Sequence, residues 1–152
     1  MYSAGLDGHL AAPQNVAVIA AAGISPAGDH APTILLVDDD ASVIDTFKRL
    51  LELEGFEIAS SQTATRGFDV AMRIRPTAII LDVRMPIVSG IHFLRQIRAQ
   101  PTLASTPVAI VTGDYFLSEI DHLELSSLGA AVRFKPLWAD ELAALARTLV
   151  LR

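Results

Sequence analysis

The chain has 152 residues, which is the size of one domain and enough to bury a hydrophobic core. It is 51% hydrophobic and carries a formal net charge of -5. This balance suits a soluble globular domain and argues against a nucleic-acid-binding surface, which is ordinarily basic. The lack of cysteine excludes disulfides and thiolate metal sites, and no apolar run approaches the roughly 20 residues that a membrane-spanning helix needs.

Residues 1–32 differ in composition from the rest of the chain. They are rich in alanine, glycine and proline, their only charged residues are Asp7 and Asp29, and all 12 Lys and Arg lie beyond them. Such a segment has little to pack against, so we predict a flexible extension followed by one domain over 33–152. A signal peptide is the alternative, because Val16–Ala22 is a short apolar run, but the residues before it lack basic charge.

Short apolar runs alternate with helical patterns over 33–152, which predicts five βα units in sequence. The predicted strands are 33–37, 56–59, 77–81, 107–112 and 132–134. The predicted helices cover 41–54, the segment from the cap Thr63 to Arg73, the segment after Gly90 to Ala99, 117–127 and 138–150. This order favours an α/β fold in which right-handed crossovers place helices on both faces of a parallel sheet.

Polar side chains stand at the ends of four of the predicted strands. Asp38 and Asp39 follow the first strand and Asp82 the third, while Thr112 closes the fourth and Lys135 follows the fifth. Because the carboxyl ends of parallel strands share one edge of a sheet, we expect three carboxylates, a hydroxyl and an ammonium to converge there.

These groups can hold a divalent cation beside a nucleophilic aspartate. Mg²⁺ relieves the repulsion between clustered carboxylates, because it takes one or two of them together with waters and phosphate oxygens. A neighbouring carboxylate can attack a phosphoryl donor, while an ammonium and a hydroxyl stabilise charge on the transferring group. Asp39 and Asp82 are the candidate metal ligands. Taken singly, each residue also has a structural interpretation, since Asp38–Asp40 can cap a helix and Asp82 can form a turn.

Five short motifs follow one another at these strand ends. They are Leu36-Val37-Asp38-Asp39-Asp40, Leu81-Asp82-Val83-Arg84-Met85-Pro86, Ser89-Gly90, Val111-Thr112-Gly113 and Phe134-Lys135-Pro136. With these motifs in this order, the segment 33–152 resembles the receiver domain of two-component response regulators. It is most similar to the stand-alone receivers that resemble chemotaxis regulators. The resemblance implies a flavodoxin-like (βα)5 fold, in which a doubly wound sheet of five parallel strands lies in a three-layer αβα sandwich.

The resemblance also implies a role for each motif residue. Asp82 is expected to be the phosphoacceptor, and Mg²⁺ is expected to bind Asp38, Asp39, Asp82 and the backbone carbonyl of Arg84. Asp40 is expected only to cap the first helix.

The remaining motif residues are expected to serve the phosphoryl group. Thr112 and Lys135 would bind it, and the Lys135–Pro136 peptide bond would be cis. Gly90 would permit the turn after the active loop, and Gly113 would keep the phosphoryl pocket open.

Three positions depart from the family pattern or vary within it. Val132 stands where many receivers carry an aromatic residue that reports phosphorylation, so Tyr115 is the candidate switch aromatic, with a half-buried loop residue as the alternative. Arg84 and Asp114 place opposite charges at the pocket mouth. We predict that this pair tunes dephosphorylation by shielding the acyl phosphate, the alternative being an exposed pair of little consequence.

The resemblance implies a cytoplasmic signalling protein rather than a conventional enzyme, although phosphorylation and dephosphorylation are chemistry of the domain itself. The expected partners are a sensor histidine kinase or a histidine phosphotransfer protein and an unknown output protein. A partner or a second copy would dock on 115–150, and neither nucleic acid nor membrane is expected to bind.

The last predicted helix ends near Arg152, so no output domain is expected, unless the chain is a fragment. Trp138 is expected to pack against the first turn of that helix.

Two other functions remain open at this point. A pseudo-receiver would bind partners without phosphorylation, but it would have no need of a self-repelling carboxylate cluster. An aspartyl-phosphate hydrolase would use an Asp-x-Asp motif after the first strand, and Asp38 and Asp40 have that spacing. Such a hydrolase would also need a cap insertion, which the sequence does not offer.

Overall fold

The computed structural model describes residues 30–85 and 88–152, where strands and helices alternate. The predicted extension, 1–32, lies almost entirely outside the described residues, as does Pro86. The strands are β1 (Thr33–Val37), β2 (Glu57–Ser61), β3 (Ala78–Leu81), β4 (Val108–Thr112) and β5 (Ala131–Phe134). The helices are α1 (Ala41–Leu53), α2 (Ala64–Ile74), α3 (Gly90–Ala99), α4 (Glu119–Ser127) and α5 (Ala139–Val150).

The five strands form one parallel sheet in the order β2-β1-β3-β4-β5. This confirms the predicted doubly wound fold. The chain leaves β1 in one direction and β3 in the other, so the switch point of the sheet lies at the carboxyl ends of these two strands. In open α/β sheets that crevice is where ligands bind.

Helices cover both faces of the sheet because successive strand residues point to opposite sides. In β1, Leu35 and Val37 pack into the core that α2, α3 and α4 cover. Ile34 and Leu36 pack into the second core, which α1 and α5 cover. The central strands β1, β3 and β4 are buried almost throughout, as expected for strands that are covered on both faces.

The predicted bounds of β2 are the least accurate of the five. The strand runs over Glu57–Ser61 rather than 56–59, and its half-exposed residues contain no continuous apolar run. Its end is determined by pairing with β1, where Val37 lies opposite Ser61. Pairing with β1 therefore sets the end of β2, and the local sequence of β2 does not.

Side chains at the helix starts explain where α1 and α5 begin. Asp40 is the N-cap of α1 and accepts a hydrogen bond of 2.9 Å from the Ser42 N–H. Trp138 occupies the N-cap position of α5, and its backbone N–H donates to Glu141 Oε2 at 2.8 Å. The expectation that Trp138 packs on this helix is wrong, since its side chain is largely exposed. None of the described helices is long and apolar enough to cross a bilayer.

Candidate functional site

Two aspartates continue the backbone pairing of the sheet just beyond its strands. The Asp38 N–H donates to the Ser61 carbonyl at 3.1 Å, and the Asp82 N–H donates to the Val37 carbonyl at 2.9 Å. Both residues are nearly buried, with 6% and 7% of their surface exposed. The sheet itself therefore holds both carboxylates at the switch point between β1 and β3.

Three carboxylates meet at this edge. One carboxylate oxygen each from Asp38, Asp39 and Asp82 lies within 4.8 Å of the others. Lys135 reaches the same point from β5, with Nζ 2.6 Å from Asp38 Oδ2 and 3.4 Å from Asp82 Oδ2. Thr112 is fully buried beside them, and its backbone carbonyl accepts a hydrogen bond from the backbone N–H of Lys135 at 2.8 Å. The structure thus brings together the five residues that the strand-end positions selected.

Opposing effects act on the charged groups of this cluster. Burial raises the pKa of Asp38, although the hydrogen bond from Lys135 opposes the change. Burial by itself would lower the pKa of Lys135, but the hydrogen bond to Asp38 and the charge of Asp82 outweigh it, so the pKa is raised. Lys135 therefore remains an ammonium at neutral pH.

The donor set fits a hard divalent cation. All three candidate ligands are carboxylates, and oxygen ligands are what Mg²⁺ prefers. One ammonium does not balance three negative charges, so a cation would relieve the remaining repulsion. The backbone N–H of Arg84 donates to Asp82 Oδ1 at 3.2 Å, which keeps the loop after β3 close to this cluster. Asp40 is engaged as a helix cap.

Arg84 and Asp114 form an ion pair beside the cluster, with Arg84 Nε 2.6 Å from Asp114 Oδ2. The hydrogen bond from Arg84 lowers the pKa of the Asp114 carboxyl. The other carboxylate oxygen of Asp114 accepts the Phe116 N–H at 3.1 Å, and the Asp114 N–H donates to Thr112 Oγ1 at 3.1 Å. Asp114 therefore joins the loop after β3 to the loop after β4, next to the buried hydroxyl.

Tyr115 spans from the loop after β4 to the end of β5. Its hydroxyl donates to the Lys135 carbonyl, and its ring stacks on Phe134 with 5.4 Å between the ring centroids. The motif Phe134-Lys135-Pro136 contains Phe134, but no role for this residue was predicted from the sequence. An aromatic residue directly before Lys135 was the available signal.

Gly90 is needed for a different reason from the one expected. Its φ is not in the left-handed region, so no turn requires glycine there. A Cβ at this position would instead lie 2.3 Å from the Asp82 carbonyl oxygen and 2.7 Å from the Val83 Cα. At Gly113 a Cβ would meet nothing within 4 Å. The Lys135–Pro136 peptide bond is cis.

Comparison with known proteins agrees with this geometry. The sequence matches the family model of the response regulator receiver domain over residues 34–146. It is 32% identical over 122 residues to response regulator MprA of Mycobacterium sp. (strain KMS), covering 78% of this chain and 50% of that protein. It is 34% identical over 85 residues to transcriptional regulatory protein PrrA of Mycobacterium tuberculosis, covering 56% of this chain and 36% of that protein. The chain thus spans half or less of the length of these curated relatives.

Solved structures show the same fold. Chemotaxis protein CheY4 of Vibrio cholerae superposes with a TM-score of 0.72 at 25% identity, covering 78% of this chain and 98% of that chain. The signal receiver domain of a putative Luxo repressor protein from Vibrio parahaemolyticus gives 0.72 at 29% identity, covering 80% and 92%. Sequence and fold therefore agree, and the chain belongs to the receiver domain family of two-component response regulators.

Proposed function

We propose that this receiver domain accepts a phosphoryl group on Asp82 from a phosphohistidine and signals through a change in its surface. The donor is a sensor histidine kinase or a histidine phosphotransfer protein, as membership of the family implies. The observation that carries the proposal is the nearly buried carboxylate of Asp82, which lies 3.4 Å from Lys135 Nζ and within 4.8 Å of two further carboxylates.

In the proposed reaction a carboxylate oxygen of Asp82 attacks the phosphorus of the donor. The new O–P bond forms as the P–N bond breaks, and the electron pair of that bond returns to the donor imidazole. Lys135 Nζ and the Thr112 hydroxyl donate hydrogen bonds to oxygens of the phosphoryl group. Asp38, Asp39, Asp82 and the Arg84 carbonyl would hold Mg²⁺, which when bound would supply positive charge against the carboxylates and the phosphoryl oxygens.

Incubation with acetyl phosphate and Mg²⁺ tests the proposal without a kinase. Intact-protein mass spectrometry should detect the addition of one phosphoryl group, and EDTA should prevent it. A chain that gains no mass, and whose Trp138 fluorescence does not respond to beryllofluoride with Mg²⁺, would instead be the pseudo-receiver scaffold. Continuous hydrolysis of a small phosphate ester would favour the hydrolase, although the engagement of Asp40 as a helix cap argues against an Asp-x-Asp site.

Magnesium should stabilise the fold, and Asp39→Asn should remove most of that effect. A ligand that binds only the folded state at 100 times its dissociation constant adds about 2.7 kcal/mol to the free energy of unfolding. Denaturant unfolding with Mg²⁺ and with EDTA measures the difference. Asp69→Asn, which changes an exposed carboxylate on α2, should keep the full effect. Equal stabilisation of both variants would show that the ion binds elsewhere.

The ion pair of Arg84 and Asp114 should slow the loss of the phosphoryl group. Replacing both residues by alanine opens the edge of the site to water, so we expect the half-life of the acyl phosphate to fall by about threefold or more. The decay of the phosphorylated mass peak measures this. Alanine at Arg95 and Glu124, which form another exposed ion pair, is the control. An unchanged half-life in the first double variant contradicts the proposal.

Tyr115 is the proposed switch aromatic. Tyr115→Phe removes the hydrogen bond to the Lys135 carbonyl but keeps the ring on Phe134, so the free energy of unfolding should fall by only about 1 kcal/mol. We expect acetyl phosphate to label the variant normally, while the fluorescence response of Trp138 to beryllofluoride shrinks. A full response would leave Tyr115 as a loop aromatic without a switch role.

The output of the domain is proposed to pass through the surface of 115–150. Several large apolar side chains are exposed there, among them Tyr115, Phe116, Ile120, Leu123 and Trp138. A protein partner or a second copy of the chain would cover them. Residues 1–32 are proposed to form an N-terminal extension of the receiver domain.

A further inference from the structure

The strand β2 lies at one edge of the sheet, where only β1 pairs with it among the described strands. The Glu57 N–H and the Ser61 carbonyl form backbone hydrogen bonds on the β1 side. Backbone groups of successive strand residues point to alternate edges, so those of Ile58 and Ser60 point away from β1. Within the described residues, these outward N–H and C=O groups have no hydrogen-bond partner.

The opposite edge of the sheet is protected. The Lys135 backbone N–H pairs with β4, so the backbone groups of Val132 and Phe134 in β5 point outward by the same alternation. The Arg133 guanidinium donates to the Val132 carbonyl at 2.9 Å, and the Tyr115 ring stacks on Phe134. Charged side chains are a common means of blocking a sheet edge. The outward residues of β2 are uncharged, and its edge is open to a further strand.

The open edge of β2 lies in a groove between two helices. The groove has a volume of about 850 Å³, within the range of about 300–1,000 Å³ that is usual for ligand sites. Because α1 and α2 cover opposite faces of the sheet, each helix forms one wall. The lining includes Ile44 and Asp45 of α1, Ser60 of β2, and Arg66, Val70 and Arg73 of α2. An extended segment can therefore lie against β2 with its side chains directed alternately to the two helices.

The wall that α2 forms is positively charged. Arg66 and Arg73 are exposed, and neither forms an ion pair within the described part of the chain. Measured from the half-buried Val70 at 100° per residue, the two arginines are displaced around the helix by about 40° and 60°, and Asp69 by about 100°. The arginines therefore lie nearer to the edge of β2 than the carboxylate does.

The wall that α1 forms is balanced in charge. Asp45 lines the groove, and the exposed Lys48 follows it by three residues on the same side of the helix. Glu57 lies at the other end of β2 and is not part of the lining. Acidic side chains of a bound segment are therefore favoured on the α2 side and not on the α1 side.

This arrangement disfavours a second copy of the chain as the occupant. A two-fold axis that pairs two β2 edges keeps like faces of the two sheets together, so each α2 would lie beside the α2 of the other copy. The two positively charged walls would then approach each other, which opposes association. The helices of the two copies would also compete for the same space beside the strands.

We propose that an extended segment of a partner protein adds to the outer edge of β2, with acidic residues at alternate positions facing Arg66 and Arg73. Its backbone pairs with the free groups of Ile58 and Ser60, as in other cases of strand addition. The intervening residues face α1 and are uncharged. The inference goes beyond the proposed function, because strand addition at β2 does not require a phosphoryl group.

Two designed peptides of equal length test the charge of the partner. Each alternates threonine with a charged residue, which is Glu in one peptide and Lys in the other. Titration calorimetry on the full chain should show the Glu peptide binding at least about tenfold more tightly, with an affinity that falls as salt rises. Arg66→Ala with Arg73→Ala should weaken the Glu peptide by about fivefold or more.

A matched control separates the groove from general attraction between charges. Arg49→Ala with Arg152→Ala also removes two exposed positive charges, but neither residue lines the groove. This variant should bind the Glu peptide with unchanged affinity. Equal binding of the Glu and Lys peptides, or an equal loss of affinity in the two double variants, overturns the inference.

Backbone methylation of the Glu peptide tests whether it binds as a strand. Only one of its two sets of alternate N–H groups can face β2, so methylating the nitrogens of one set should abolish binding, while methylating the other set should preserve it. Equal affinity of the two methylated peptides contradicts strand addition.

Ser60→Pro tests the same pairing from the side of the chain. The Ser60 N–H points away from β1, and proline is tolerated at such positions of an edge strand. We expect this variant to lose at least about tenfold in affinity for the Glu peptide and to take up phosphate from acetyl phosphate as the original chain does. Unchanged affinity overturns the inference, as does a dimer in sedimentation that Ser60→Pro dissociates. If the variant does not fold, the methylated peptides still decide.

Discussion

Asp82→Asn is expected to abolish phosphoryl acceptance, lowering the rate of labelling by acetyl phosphate by at least about 1,000-fold, because it removes the attacking carboxylate. The fold should survive the change. The amide oxygen of asparagine can still accept a hydrogen bond from the backbone N–H of Arg84, whose nitrogen lies 3.2 Å from Asp82 Oδ1 in the original chain, and one of three crowded negative charges disappears. The free energy of unfolding without Mg²⁺ should therefore equal or exceed that of the original chain.

Asp40→Asn is the matched control for this experiment. Asp40 lies two residues from Asp38, but its carboxylate accepts the Ser42 N–H at the start of α1, and asparagine caps helices equally well. The control should take up phosphate at the original rate. If Asp82→Asn is still labelled, or if the label maps to Asp38 or Asp39 after proteolysis, the assignment of the phosphoacceptor is wrong.

Gly90→Ala is expected to lower the free energy of unfolding by about 2–3 kcal/mol, the upper range for forcing extra atoms into a packed site. The new methyl group would lie 2.3 Å from the Asp82 carbonyl oxygen. The contacted atoms belong to the backbone, which cannot turn away as the end of a flexible side chain can. Because the segment that is displaced carries Asp82, the proposed phosphoacceptor, the rate of labelling should fall as well. Urea denaturation followed by circular dichroism measures the first effect.

Gly113→Ala provides the comparison, since a Cβ there meets nothing within 4 Å. Its free energy of unfolding should stay within about 0.5 kcal/mol of the original value. If the two glycine variants unfold at the same denaturant concentration, close approach of the backbone does not explain the glycine at position 90.

The sequence predicts the central part of the fold well. The apolar runs of β1, β3 and β4 are buried on both faces, and a period of two or of 3.6 residues is a local property of the chain. It also predicts which residues gather at the site, because the carboxyl ends of parallel strands share an edge whatever the details of packing. The edge strand β2 is the exception, since pairing with β1 decides where it ends.

The sequence predicts that Arg84 and Asp114 form a pair, but the distances between side chains from distant loops were beyond it. The sequence places opposite charges at Arg84 and Asp114, but only the folded loops bring them to 2.6 Å. Tyr115 reaches the Lys135 carbonyl and Phe134 across a turn whose geometry no local pattern encodes.

The succession of strands and helices along the chain, and the set of polar residues at the edge of the sheet, can be read from the sequence because periodicity and strand-end position are local properties. Only the tertiary structure decided that Lys135 Nζ lies 2.6 Å from Asp38, that Gly90 touches the backbone of Asp82, and that Ile120 and Leu123 face outward. Each of these depends on how separate elements pack, and residue spacing along the chain does not specify such packing.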